Sequence, residues 1–229
     1  MRAMILAAGR GERMRPLTDD LPKPLLEVAG RSLLEWQIDR LARAGFRHLV
    51  VNVSHLAARI EAAIGDGARF GVAIRYSRET VALETAGGLA SALPLLADRP
   101  FAAVNADVWT DFDYARLLPH LAAMEGAQKT GAHLVLVENP PHHPGGDFAL
   151  DRNGRVRNGG PRLLTFSGIA AYHPALFSGL VTGQRAALGP LLRASADAGQ
   201  LSGERYDGTW IDVGTPERLA ALRARVAGA

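Results

Sequence analysis

The chain of 229 residues contains no cysteine, which excludes disulfides and thiolate metal sites and fits a reducing compartment. Aromatic residues make up only 6% and the arginines are scattered, with a formal net charge of +3. A nucleic-acid-binding surface is therefore not expected. No run of about 18 apolar residues escapes interruption by charge or glycine, so no membrane span is expected either. The start, "MRAMILAAG", passes at once into charged residues and lacks the long apolar stretch of a signal peptide. Internal repeats and low-complexity linkers are absent as well. What remains is a globular chain, 48% apolar, able to bury a sizeable core and expected in the cytoplasm.

Apolar periods alternate between strand-like and helix-like. "AMILAA", ended by Gly9, suits a buried strand. From Ser32, "SLLEWQIDRLARAG" spaces Leu33, Leu34, Ile38 and Leu41 on a helical face, with Ser32 and Glu35 as a capping box and Gly45 at the C-terminal end. "HLVVNV" (48–53) reads as a strand, "HLAARIEAAIGDG" as a helix, "VAIRY" (72–76) as a strand, "GGLASALPLL" as a helix and "FAAVNA" (101–106) as a strand. Such alternation implies βαβ units and a largely parallel sheet. After Pro119 the pattern loosens into "AHLVLVEN", "DFALD", "RVRN" and "LTFSGIAAYH", strand-like pieces joined by turns. "ALGPLLRASADAG" returns to helix. "GTWIDVG" is a short strand, and the helix "PERLAALRARVA" has Pro216 in its first turn. The expected fold is an α/β, Rossmann-like single domain over 1–229, with a mixed, mainly parallel central sheet flanked by helices. Residues 1–110 would form a nucleotide-binding half and 111–229 a more antiparallel, sugar-binding half.

The chemistry turns on "MILAAGRGERMRPLT" and the "LPKPL" that follows. A dinucleotide fingerprint requires a third glycine, and Met14 stands in that place. A P-loop requires G-K before Ser or Thr, which this chain lacks. A strand-to-loop turn that merely needs permissive backbone is the plain reading. Yet glycines also let backbone N–H groups close on anionic oxygens. Arg13 offers a planar fork for phosphate oxygens, and Lys23 a compact charge on a proline-stiffened backbone. Asn52, at the C-terminal end of "LVVNV", is a candidate pocket-wall residue. Asp107 and Asp212 each end a short apolar strand, where ligands of α/β sheets bind. Asp113 reads as an N-cap for "YARLLPHL". The adjacent His142 and His143 lack a partner at ligand spacing and are not expected to hold a metal.

Leu6, Gly9, Gly11, Arg13, Pro16, Leu17, Thr18 and then Pro22, Lys23 and Pro24 form a long discontinuous pattern that closely resembles the signature of sugar-1-phosphate nucleotidylyltransferases. Ala8 stands where that family often has a further glycine. The resemblance implies an enzyme that joins a sugar 1-phosphate to a nucleoside triphosphate with release of pyrophosphate, using Mg2+. Asp107, in "NAD" where the family has "NGD", and Asp212, in W-x-D-x-G-T-P, are the implied metal ligands. Arg13 and Lys23 are the implied catalytic residues. Ala7, Ala8, Gly9, Gly11, Glu12, Arg13, Lys23, Asn52, Asn105 and, within "LETAGGLASAL", Thr85 and Gly87 are the candidate nucleotide contacts. Glu84 and Gly88 match that segment too. Thr85 also suits an ordinary helix N-cap.

"NPPHHPGGDFAL", "TFSGIAAYHP" and "SGERYDGTWIDVGTPERL" resemble a compact bacterial subgroup, the N-acetylmuramic acid 1-phosphate uridylyltransferases of cell-wall recycling. That resemblance implies UTP as donor and Asn139, Asp147, Ser167, Gly168 and Glu204 as sugar contacts. A mannose-1-phosphate guanylyltransferase is the alternative within the same fold. A non-catalytic sensor would be expected to lose Arg13, Lys23 or an aspartate, and all are present. No hexapeptide-repeat extension follows, so a bifunctional acetyltransferase is not expected.

Overall fold

The computed structural model describes residues 1–126 and 131–228. Its strands are β1 (Arg2–Leu6), β2 (Glu27–Val28), β3 (Arg31–Ser32), β4 (His48–Val53), β5 (Ala73–Arg78), β6 (Phe101–Asn105) and β7 (Val108–Thr110). Then follow β8 (Ala132–Val137), β9 (Ala149–Leu150), β10 (Val156–Arg157), β11 (Thr165–Tyr172), β12 (Leu201–Arg205) and β13 (Trp210–Asp212). The α-helices are α1 (Leu33–Arg43), α2 (Ala57–Ile64), α3 (Glu84–Ala92), α4 (Leu118–Met124), α5 (Leu188–Asp197) and α6 (Pro216–Ala227). Seven strands form a mixed, mainly parallel sheet in the order β12-β8-β11-β6-β1-β4-β5. Among the described residues no helix is long and apolar enough to cross a membrane. The chain divides into two compact units, Met1–Ala82 with Val104–Ala115 and Thr209–Ala229, and Leu83–Ala103 with Arg116–Gly208.

In the first unit β1 pairs in parallel with β4, and β4 with β5, so that Leu6 lies opposite Asn52 and Asn52 opposite Ser77. The capping box of α1 forms as its sequence implies: the Ser32 hydroxyl accepts from the Glu35 N–H, and the Glu35 carboxylate accepts from the Ser32 N–H. Reciprocal capping of this kind contributes about 1 kcal/mol. The loop after β1 turns through Gly11 at φ 67° and is anchored by Met14, fully buried with Leu26, Val28, Leu33, Val213, Leu219 and Leu222. The side chain that removes the dinucleotide reading is thus the apolar peg of a different loop. Thr215 caps α6, with Pro216 in the first turn. Near α6, β7 and β13 form an antiparallel ribbon that sets Asp212 opposite Val108.

In the second unit β8 pairs antiparallel with β11 and parallel with β12. The β11 register shifts between Phe166 and Ala170, where Gly168 takes φ 76°. This is a bulge that a glycine permits. Phe101, Tyr172 and Phe177 meet edge-on or tilted in the core. The short strands β2, β3, β7 and β12 are not evident from the sequence pattern.

The start of α3 corrects one expectation. Leu83, not Thr85, occupies the N-cap position, and no side chain caps this helix. The carbonyl of Ala186 accepts from the N–H groups of Ala86 and Gly87 instead. That bond draws the 184–186 backbone so close that a Cβ on Gly87 would collide with the Gln184 carbonyl oxygen. Gly87→Ala is therefore expected to destabilise the fold by about 1–3 kcal/mol, the usual cost of overpacking against backbone. A denaturant-unfolding midpoint equal to wild type would refute that packing role.

Candidate active site

Residues of the first unit converge on the ends of β1, β6 and β13. Asn52, buried on β4, accepts at Oδ1 from the Ala7 N–H at 2.7 Å and donates from Nδ2 to the Glu79 carboxylate at 2.7 Å. Its amide holds the β1 exit in place, a use of both polar ends that the sequence does not reveal. Ala106, buried where the resembling family has glycine, donates its N–H to the Leu6 carbonyl at 3.0 Å. Beyond β1, the Thr18 hydroxyl donates to the Gly11 carbonyl at 2.8 Å. A Cβ on Gly11 would come within 3.1 Å of both Lys23 Cβ and Thr18 Cγ2, whereas among the described residues nothing lies within 4 Å of where a Gly9 Cβ would be. Ala8 is half-buried, and Gly9, Glu12 and Arg13 are exposed. Arg15 pairs with Asp19, which leaves it outside the set that meets here.

Lys23 is nearly buried, in a single turn entered at Pro22 and containing Pro24. Its ammonium donates to Asp107 Oδ2 in an ion pair, with the carboxylate about one-third exposed at 32%. Asp107 follows Asn105 in the turn between β6 and β7, and its carbonyl accepts from the Val213 N–H at 2.8 Å. Asp212 is therefore the next residue along the neighbouring backbone. Both Asp212 oxygens lie 2.6 Å from the Arg218 guanidinium. A Cβ on Gly214 would meet that guanidinium, so a larger residue there would displace the flexible end of Arg218. Arg218 carries no sequence signal for this part, since its position is set by the cap of α6. The structure thus sets the Lys23 ammonium on Asp107 and places Asp212 one residue from Val213, whose N–H meets the Asp107 carbonyl.

Behind Asp107 lies a polar network that the sequence reading misses. The Gln37 amide, 1% exposed, donates to the carbonyls of Asn105 and Val108 and accepts from the Tyr114 hydroxyl. Burial raises the Tyr114 phenol well above its ordinary pKa, so it serves as a neutral donor. Gln37→Leu would orphan the Tyr114 hydroxyl and two carbonyls flanking Asp107. Unfolding free energy is expected to fall by about 1–3 kcal/mol for such buried groups. Wild-type stability in chemical denaturation would contradict this role.

In the second unit, Asn139 and Asp147 tie one loop together. Asn139 donates to the carbonyls of Pro144 and Leu163 and accepts from the Thr165 hydroxyl. Asp147 accepts from the Phe166 N–H at 2.8 Å and lies 3.1 Å from His143 Nε2. Ser167 is buried, donating to the Val135 carbonyl, and Gly168 forms the bulge beside it. Thr85 is half-buried at the start of α3, beside the backbone-crossed Gly87. Glu204 belongs to another set: Arg116 pairs with its Oε2, and His133 Nε2 lies 3.6 Å from Oε1. Burial works to raise the Glu204 pKa, but His133 and Arg116 hold it below its ordinary value.

The Nucleotidyl transferase family matches residues 2–158. The chain belongs to the nucleotidyl transferase family. Family members transfer a nucleotidyl group to a sugar 1-phosphate, and this chain is such an enzyme. It is 51% identical to the N-acetylmuramate alpha-1-phosphate uridylyltransferase of Neisseria meningitidis over 100% of its own length and 99% of that protein's. To the protein of that description in Caulobacter vibrioides it is 37% identical, covering 99% and 97% of the two chains. The crystal structure of HddC from Yersinia pseudotuberculosis complexed with GMP-PN superposes with a TM-score of 0.78 at 18% identity, covering 98% of this chain and 99% of that one. This last likeness is one of fold.

Proposed function

We propose that the enzyme transfers a uridylyl group from UTP to N-acetylmuramate 1-phosphate, releasing pyrophosphate, as a cytoplasmic step of peptidoglycan recycling. The whole-length identity to the Neisseria enzyme supports the choice of substrates. The observation that carries the chemistry is the Lys23 ammonium on Asp107, with Asp212 next along the adjoining backbone. In this reading the backbone of Ala7, Ala8, Gly9, Gly11 and Glu12 wraps the triphosphate as an anion nest. The open face of Gly9 leaves that approach clear. Arg13 grips the β and γ phosphates that leave, and Lys23 neutralises the α-phosphate and the attacking oxygen.

A sugar-phosphate oxygen bonds to the α-phosphorus in line as the bond to the pyrophosphate oxygen breaks. The attacking phosphate is already largely ionised at neutral pH and needs no general base. Asp107 and Asp212 are hard oxygen donors, both partly exposed, and as a pair of carboxylates they suit Mg2+. An ion held there would supply charge neutralisation at the transferring phosphoryl group. Asn52, Thr85, Gly87 and Asn105 serve the nucleoside, the first and third by holding backbone in place. Asn139, Asp147, Ser167, Gly168 and Glu204 serve the sugar. One functional domain over 1–229 results, its nucleotide half (1–110) completed by Asp212 from the half that otherwise carries the sugar residues.

Pyrophosphate release measured over a panel of nucleoside triphosphates and sugar 1-phosphates tests the substrates. The expected outcome is the highest kcat/KM for UTP with N-acetylmuramate 1-phosphate, by about tenfold or more over any other pair, a gap of about 1.4 kcal/mol. Faster turnover of GTP with mannose 1-phosphate would replace this reading with the guanylyltransferase alternative.

A further inference from the structure

The second unit contains a cluster of two histidines, unused by the reaction above, around Glu204, which that reading gives to the sugar. His120 from α4, His133 from β8 and Glu204 from β12 place one ligand atom each within 4.8 Å of one another. His133 is 3% exposed, and among the described residues its buried Nε2 has no hydrogen-bond partner. Its other nitrogen, Nδ1, lies 3.0 Å from the Ser202 hydroxyl. With the proton on Nδ1, donated to Ser202, the Nε2 lone pair faces Glu204 Oε1 at 3.6 Å. In that tautomer two acceptors oppose each other in a buried place, and a cation between them would satisfy both.

We propose that His120, His133 and Glu204 form a binding site for a divalent transition metal of the zinc class, clamping α4 onto β8 and β12. Two donors about 2.0–2.1 Å from one tetrahedral ion stand about 3.3–3.4 Å apart, close to the His133–Glu204 separation. The Ser202 bond supplies the outer support that ligating histidines usually have on their second nitrogen, fixing ring orientation and tautomer. Arg116 pairs with Glu204 Oε2, and Oε1 lies 3.6 Å from His133 Nε2.

The two imidazoles lie stacked, with centroids 3.4 Å apart and planes 13° from parallel. Parallel rings cannot both aim in-plane lone pairs at one ion. Binding therefore turns the half-buried His120 ring out of the stack, while Ser202 keeps His133 in place. Imidazole–carboxylate donors select zinc-like ions over magnesium, which prefers oxygen. The site is thereby distinct from Asp107 and Asp212, and Glu204 is the residue it shares with the proposed sugar contacts.

The test is calorimetric titration of the chelator-treated full-length protein with Zn2+ in excess Mg2+, followed by 15N NMR of the imidazoles. Binding of one Zn2+ is expected, with the ring nitrogens of His120 and His133 shifting together. His120→Ala, at a half-buried position that folding tolerates, and Glu204→Gln should each weaken binding at least tenfold. Absence of Zn2+ binding by wild type, or undiminished binding by His120→Ala, would overturn the site. So would a titration that moves only carboxylates.

Discussion

Asp107→Asn is expected to abolish magnesium-dependent turnover, lowering kcat by at least about a thousandfold, while the protein melts within a few degrees of wild type. The substitution keeps size and an oxygen acceptor for the Lys23 ammonium, so the local packing has little reason to change. It removes the negative charge that a hard divalent cation requires. Asp212 alone does not replace it, because a hard divalent cation then keeps only one of its two charged oxygen donors. Thermal unfolding and pyrophosphate release on the same preparation separate the two effects. Retained turnover at saturating Mg2+ would remove Asp107 from the metal site.

Lys23→Ala has the next largest expected effect, a fall in kcat of about 10²–10³-fold, comparable to deleting one charged or hydrogen-bonding stabiliser of a transition state. KM for the triphosphate should rise less, since Arg13 and the glycine loop still hold the β and γ phosphates. The ammonium is nearly buried, but its partner carboxylate is partly open to water. Unfolding free energy should accordingly fall by only about 1–2 kcal/mol, below the 3–5 kcal/mol typical of breaking a fully buried ion pair. Lys23→Arg is expected to rescue little, because a planar fork does not fit the place of a compact ammonium. Loss of KM with intact kcat would assign Lys23 to substrate binding alone.

Local signals made much of this architecture legible. The capping box at Ser32 and Glu35, the apolar run of β4, the Asp113 cap and the Pro216 turn all act within a few residues, and all appear where their sequences place them. β13 appears where "GTWIDVG" places a short strand, but its partner β7 gains its structure from β13 across a hundred residues of chain, and no period announces it. β12 is set by its partner β8 in the same way. At the candidate site, Lys23, Asp107 and Asp212 were legible because each sits in a motif with a charge requirement. Gln37, Arg218 and Glu79 were not. Their work is to orient neighbours distant in sequence, and on its own helix Gln37 reads as one more polar residue. Thr85 shows the opposite failure: a good capping residue in the right place, displaced by a carbonyl from 101 residues downstream.

The most direct measurement follows label from UTP carrying 32P at either the α or the γ position, in the presence of N-acetylmuramate 1-phosphate and Mg2+. Nucleotidyl transfer at the clamp of Gly9, Gly11, Arg13 and Lys23 puts α label in the sugar nucleotide and γ label in pyrophosphate, and a chelator stops both. Appearance of γ label in the sugar product, or of product at an unchanged rate without a divalent ion, would contradict the account.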